Sequence, residues 1–300
     1  MRIRSLLLVL LAALPLFAKS PRQSLVVNTA WLAAHLKDSN LVLLHVGDED
    51  DYEDEHIPGA RFVALSDIAL SDHTPGGLIL EMPPAADLRA RLEKLGISND
   101  SRVVVYYGED WVSPTTRVIF TLDYAGLGDR ALLLDGGMKA WVRDGHPTTD
   151  VVPPPRTGKL APLKIQQLLV DAAYVMANRK KKGVALVDGR AAAFYDGVDT
   201  GGSHGQPHRT GHIAGAGNFP FTEVTNDELM LRSPAELRAL LTRAGVQPGD
   251  TVLGYCHIGQ QMTAVLFAAR TLGHDVLLYD GSMQDWSRRK EYPVEITAAK

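Results

Sequence analysis

The chain repeats itself. LVLLHVG (residues 41–47), HIPGARFV (56–63), SRVVVYY (101–107) and LLLDGGMKAW (132–141) recur in the same order as VALVDGR (184–190), HIAGAGNFPF (212–221), DTVLGYC (250–256) and VLLYDGSMQDW (276–286). Trp141 and Trp286 occupy matching places, as do His56 and His212. Four elements repeated in one order mark a tandem duplication, and two copies make a paired-domain protein and not a solenoid. With 300 residues, of which 45% are hydrophobic and 22% charged, the chain can bury two cores of ordinary size. Between the copies lies VVPPPRTGK, whose prolines favour an extended linker. The expected units are residues 21–150, a linker over 151–159, and residues 160–300.

Within each copy, short runs of Val, Leu and Tyr alternate with longer amphipathic stretches. Residues 83–95 and 233–244 carry apolar side chains at helical spacing. The second stretch opens Ser-Pro-Ala-Glu, an N-cap pattern. Strands alternating with helices predict an α/β fold with a parallel sheet flanked by helices in each copy. Sites in such sheets form beyond the carboxyl ends of the strands.

The first residues read as an export signal. Arg2 and Arg4 precede an apolar run, Leu6 to Phe17, broken only by Pro15. That run is shorter than the ~20 residues a membrane-spanning helix needs. Residues 1–20 are therefore expected to be removed, leaving an exported, periplasmic protein with no stable membrane insertion. Lys and Arg total 31 and Asp and Glu 35, a balance that does not suggest a nucleic-acid binder.

Cys256 is the single cysteine, so it cannot form an internal disulfide. It is either a buried small hydrophobe or a working thiol. TVLGY (251–255) reads as a buried strand and MTAVLFAARTLG (262–273) as a helix that Gly273 ends. The segment from Cys256 to Gln261 is then a short loop between them. Loop N–H groups and a helix start favour negative charge, and a thiol attacks as the thiolate. Gly259 lets that loop turn tightly. Such chemistry requires no cofactor and no metal.

These residues carry a resemblance. VDGR (187–190), GHIAGAGNFPF (211–221), CHIGQQ (256–261) and YDGSMQDW (279–286) resemble the tandem rhodanese superfamily, which includes thiosulfate and 3-mercaptopyruvate sulfurtransferases. The resemblance covers residues 21–300. It implies two tandem rhodanese-like domains with five-stranded sheets, and a sulfurtransferase in which Cys256 carries sulfur as a persulfide. It implies that His257, Ile258, Gly259, Gln260 and Gln261 line the pocket, and that Asp188 and Arg190 form an Asp-x-Arg site that positions the loop or the donor. His212 belongs to the HI-x-GA motif repeated in both copies and reads as a supporting residue that ties a loop down. The partners are a small sulfur donor and a thiol or cyanide acceptor. The first copy is expected to be inactive and to wall one side of the pocket.

The departures bear on the donor. Thiosulfate-type loops carry two basic residues after the cysteine, where this chain has His257 and Ile258. Mercaptopyruvate-type loops end in Val and Thr, where it has Gln260 and Gln261. In the first copy, aligning Tyr107 with Tyr255 sets Gly108 opposite Cys256, and Val46 and Asp48 opposite Asp188 and Arg190. Its loop then reads as the longer of the two.

Other readings are weaker. The fold resembles certain tyrosine phosphatases, but the phosphate-clamping Arg they need is replaced by Met262. A carrier that loads one sulfur without turnover is the stronger rival. His204, His208 and His212 lie four apart, yet Gly201, Gly202, Gly205, Pro207 and Gly211 forbid the helix that would make them a zinc face. Asp280 and Trp286 read as turn and packing residues, because Asp135 and Trp141 match them in the copy without cysteine. The acidic run 48–55 reads as a solvated face.

Overall fold

The structure is a computed structural model that describes residues 21–200 and 208–297. The export signal expected at residues 1–20, and His204, lie outside the described residues. The first domain runs α1 (Pro21–Leu25), β1 (Val26–Val27), α2 (Thr29–His35), β2 (Leu41–Val46), α3 (Glu49–Asp54), β3 (Arg61–Phe62), α4 (Leu65–Ile68), α5 (Ala85–Lys94), β4 (Arg102–Tyr107), α6 (Val112–Leu122), β5 (Ala131–Leu134) and α7 (Gly137–Arg143). The second runs β6 (Leu169–Val170), α8 (Ala172–Asn178), β7 (Val184–Asp188), α9 (Ala192–Asp196), β8 (His212–Ile213), β9 (Gly217–Asn218), α10 (Pro234–Arg243), β10 (Thr251–Tyr255), α11 (Met262–Thr271), β11 (Val276–Tyr279), α12 (Ser282–Trp286) and β12 (Val294–Glu295).

Each domain has a five-stranded, all-parallel sheet, ordered β1-β5-β4-β2-β3 and β6-β11-β10-β7-β9. The two orders are the same once equivalent strands are matched, so the duplication read in the sequence is a duplication of topology. Local sequence agrees with the elements. Ser233 Oγ accepts the Glu236 N–H while the Glu236 carboxylate accepts the Ser233 N–H, a capping box that opens α10. Among the described residues, no helix is long and apolar enough to cross a membrane.

Alternate strand residues face opposite sides of each sheet. Leu43, Val104 and Tyr106 enter one outer cluster with Trp141, and Leu186, Leu253 and Tyr255 enter the other with Trp286. The inner faces share one cluster that crosses between the domains. It runs through α6, every residue of which is buried, and α11, where only Arg270 is not. Helices covered on every side belong inside a protein, and these two pack on one another. Each large apolar side chain buried there contributes roughly 1.5–3 kcal/mol.

The structure corrects the alignment of the two copies by one residue. Tyr106 OH accepts the Ile57 N–H at 3.1 Å, and Tyr255 OH accepts the Ile213 N–H at 2.9 Å. Val63 N–H donates to the His45 carbonyl as Phe219 N–H donates to that of Asp188. Tyr106 therefore matches Tyr255, Tyr107 matches Cys256, His45 matches Asp188 and Gly47 matches Arg190. Two adjacent tyrosines in RVVVYY left the register open in the sequence. The loop length is corrected too. Residues 107–111 lead into α6, whereas residues 256–261 lead into α11, so the first loop is the shorter. The extra residues of the first copy lie at the far end of α6, in the π-helical turn Asp123–Leu127.

Candidate active site

Cys256 follows β10 directly, and α11 begins six residues later. Its side chain joins the inner cluster, on the face turned toward the first domain, and has no exposed surface. A donor reaches the sulfur only when the covering side chains yield. The Cys256 N–H is taken by Ser282 Oγ at 3.1 Å, and that hydroxyl donates to the Tyr279 carbonyl at 2.9 Å. The Cys256 and His257 carbonyls accept the Met283 and Gln284 amides. These bonds fix the start of the loop onto α12.

The remaining turn is open in a chemical sense. Among the described residues, no protein acceptor takes the N–H groups of Ile258, Gly259, Gln260 or Gln261. Four successive amides without acceptors make a nest suited to an anion. Gly259 sits at φ +80, and a Cβ there would lie 2.4 Å from Asp280 Oδ1. Only glycine meets both conditions.

Beneath this turn lies a residue that the sequence reading missed. Arg117, on α6 of the first domain, is fully buried. It pairs with Asp280, donates from Nη1 to the Gly259 carbonyl at 3.2 Å, and donates from Nη2 to the Leu80 carbonyl. Asp280 also accepts the Met82 N–H at 3.0 Å. Asp280 is thus more than a turn residue, because its carboxylate joins the two domains under the loop. A lone arginine in the otherwise uncharged PTTRVIFTL was the available clue. Trp286 is fully buried, as expected of a packing residue.

Asp188 and Arg190 lie at the end of β7, beside Tyr255. Arg190 grips the Asp188 carboxylate through Nε and Nη2, and Nη2 also donates to the Gly211 carbonyl at 2.8 Å. Burial disfavours the Arg190 charge, but the Asp188 carboxylate outweighs burial and Cys256 adds to it, so the guanidinium is held above its ordinary range. The guanidinium stands within electrostatic reach of the sulfur, as one half of a buried ion pair with Asp188.

His257 is buried, edge-on to Phe194 at 4.7 Å and stacked on His208 at 5.3 Å. Ile258 is buried beside it. The Gln260 side chain donates to Ser113 Oγ of the first domain at 3.2 Å. Gln261 stands at the N-cap of α11 without capping it, and its Oε1 is buried without a partner among the described residues. Neither glutamine caps the helix. His212 donates from Nδ1 to the Tyr195 carbonyl and stacks on that ring at 3.7 Å, as His56 does with Tyr52 at 4.2 Å. The same arrangement in both domains makes His212 a loop anchor. Ser282 also escaped the sequence reading, although YDGSM differs from LDGGM at that position alone between two shared Asp-Gly and Met positions. Among the described residues, no cluster of His, Cys, Asp or Glu could hold a metal ion.

The Rhodanese-like domain model matches this chain twice, over residues 28–144 and 171–289. The chain belongs to the rhodanese family. Among curated relatives, this rhodanese is 30% identical to a thiosulfate sulfurtransferase of Mus musculus, over 91% of this chain and 95% of the relative. It is 29% identical to one of Azotobacter vinelandii, over 93% and 99%. It is 30% identical to the sulfur carrier protein TtuD of Thermus thermophilus, over 89% and 95%. Among solved structures, YnjE aligns with a TM-score of 0.82 at 24% identity, over 94% of this rhodanese and 70% of that chain. At that identity the likeness shows the fold alone.

Proposed function

We propose that this rhodanese takes the outer sulfur of thiosulfate onto Cys256 and hands it to cyanide or a thiol. Sulfur transfer itself is the activity of its family and of its thiosulfate sulfurtransferase relatives. In the first half-reaction the Cys256 thiolate attacks that sulfur, and the sulfur–sulfur bond of thiosulfate breaks to release sulfite. In the second, cyanide attacks the terminal persulfide sulfur, leaves as thiocyanate and restores the thiolate. This is a double displacement through a covalent intermediate. No oxidant or cofactor enters the balance.

The observation that supports this most is the set of unspent amides from Ile258 to Gln261, in the turn that the only cysteine opens. They suit the anionic persulfide, and Arg190 adds a positive charge that an anionic donor would feel. Gln261 Oε1 offers an acceptor to an incoming group that carries a proton. The export proposed from residues 1–20 would place this chemistry in the periplasm.

A second reading has its own support. A relative of equal identity, over 89% of this chain, is named a sulfur carrier. Parallel assays with thiosulfate and 3-mercaptopyruvate, with cyanide as acceptor, separate the cases. Sustained thiocyanate release from thiosulfate supports the enzyme. Faster release from 3-mercaptopyruvate would change the donor, and a single stoichiometric burst would make the protein a carrier.

A further inference from the structure

The first domain keeps a cavity where the second keeps its Asp–Arg pair. It has a volume of ≈ 290 Å³ and is lined by His45, Asp51, Asp54, Glu55, Gly108, Glu109 and Met138. The matched positions explain why it exists. His45 replaces Asp188, and Gly47 replaces Arg190, so no guanidinium fills the space. A Cβ on Gly47 would lie 2.6 Å from His45 Nε2, and one on Gly108 would lie 2.9 Å from it. Two glycines thus leave that nitrogen uncovered by any side chain of their own, at the wall of the cavity.

His45 Nε2 is buried and has no hydrogen-bond partner among the described residues. Its tautomer follows from its neighbour. Tyr106 OH accepts the Ile57 N–H and lies 3.0 Å from His45 Nδ1. Because Tyr106 OH already accepts the Ile57 N–H, donation to Nδ1 is what satisfies its own buried proton, and on that ground the ring proton is assigned to Nε2. Burial, with His56 nearby, lowers the His45 pKa to about 4, so the ring is neutral at pH 7. The cavity lining also carries four exposed carboxylates. None of Asp51, Asp54, Glu55 and Glu109 is ion-paired among the described residues. Glu109 is held at φ +41, a backbone region that few side chains adopt.

We infer that this cavity binds a small organic ammonium or guanidinium whose hydrogen-bond acceptor meets His45 Nε2–H while its charge meets Asp51, Asp54 and Glu109. A metal ion is the weaker occupant, because Nε2 presents a proton and not a lone pair. The volume lies at the small end for ligand pockets, which suits a molecule the size of one amino acid. The site is separate from Cys256 and does not depend on the sulfur chemistry.

Lysinamide is a suitable probe, with hexanamide as the uncharged comparator. Backbone amide NMR of the full chain should show saturable shifts at Gly47, Gly108 and Glu109 with lysinamide and none with hexanamide. Asp51→Asn/Asp54→Asn, at two exposed positions on α3, should weaken lysinamide by at least about tenfold and leave sulfur transfer unchanged. Shifts of equal size with hexanamide, no saturable shift with lysinamide, or undiminished binding by the double variant would each overturn the inference.

Discussion

At the end of β10 the chain turns through Cys256 and spends little of its backbone on itself. At the matching end of β4 it turns through Tyr107, and there the backbone is bonded internally: Gly108 N–H donates to the Val46 carbonyl, Trp111 N–H to Gly108 and Val112 N–H to Asp110. The Tyr107 side chain donates to the Leu229 carbonyl of the other domain. The first loop also carries Glu109 and Asp110, where an anion would meet like charge. One topology thus yields two different ends. What separates the two ends, besides the thiol, is the run of amides left unbonded after Cys256.

Moving the thiol between the two loops tests that difference. Cys256→Ser should lower sulfur transfer by at least about a thousandfold, with the melting temperature within about 2 °C of the parent. Tyr107→Cys should gain no persulfide at the new position, because a thiol alone lacks the open turn. Labelling of the introduced thiol with sulfane sulfur would break the comparison. Arg117→Ala should destabilise the chain by about 3–5 kcal/mol, since it strands the buried Asp280 carboxylate, and it should lower kcat by loosening Gly259. Denaturant unfolding checks the first effect. Loss of kcat at temperatures where the variant is fully folded checks the second.

Smaller effects follow from Ser282 and Glu81. Ser282 holds φ +48, where the first domain has Gly137 at φ +52. Ser282→Ala should cost about 1–3 kcal/mol, because the buried Cys256 N–H loses its acceptor. Equal stability of parent and variant by thermal unfolding would remove Ser282 from the account. Glu81 lies in the first-domain segment that meets Asp280. Burial first, and then the Asp280 charge, raise its pKa to about 7, with Asp285 also raising it and Arg117 and Arg288 opposing. The folded chain holds that proton more tightly than the unfolded chain does. Its contribution is therefore complete below about pH 4.5 and is lost as pH rises through about 7. Glu81→Gln should unfold at a higher temperature than the parent at pH 8 and at the same temperature at pH 4. A constant difference across that range would contradict this.

Much of this was legible in the sequence. The duplication, the alternation of strands and helices, the Ser233 cap and the six-residue cysteine loop rest on local patterns that the chain displays directly. The one-residue register between the copies did not, because Tyr106 and Tyr107 are alike in type and only the hydroxyl bond to Ile57 separates them. Arg117 and Ser282 were missed for a related reason. Each acts through a partner more than twenty residues away, Gly259 and Asp280 for one and Cys256 for the other. The covered state of Cys256 also lay beyond the sequence, since it follows from the packing of two domains.

The most direct test weighs the intact protein after incubation with thiosulfate, and again after cyanide. The parent should gain one sulfur atom per chain and lose it to cyanide, and Cys256→Ser should gain none. A parent that takes up no sulfur, or a Cys256→Ser chain that takes up as much, would contradict the claim that the loop after β10 carries the persulfide.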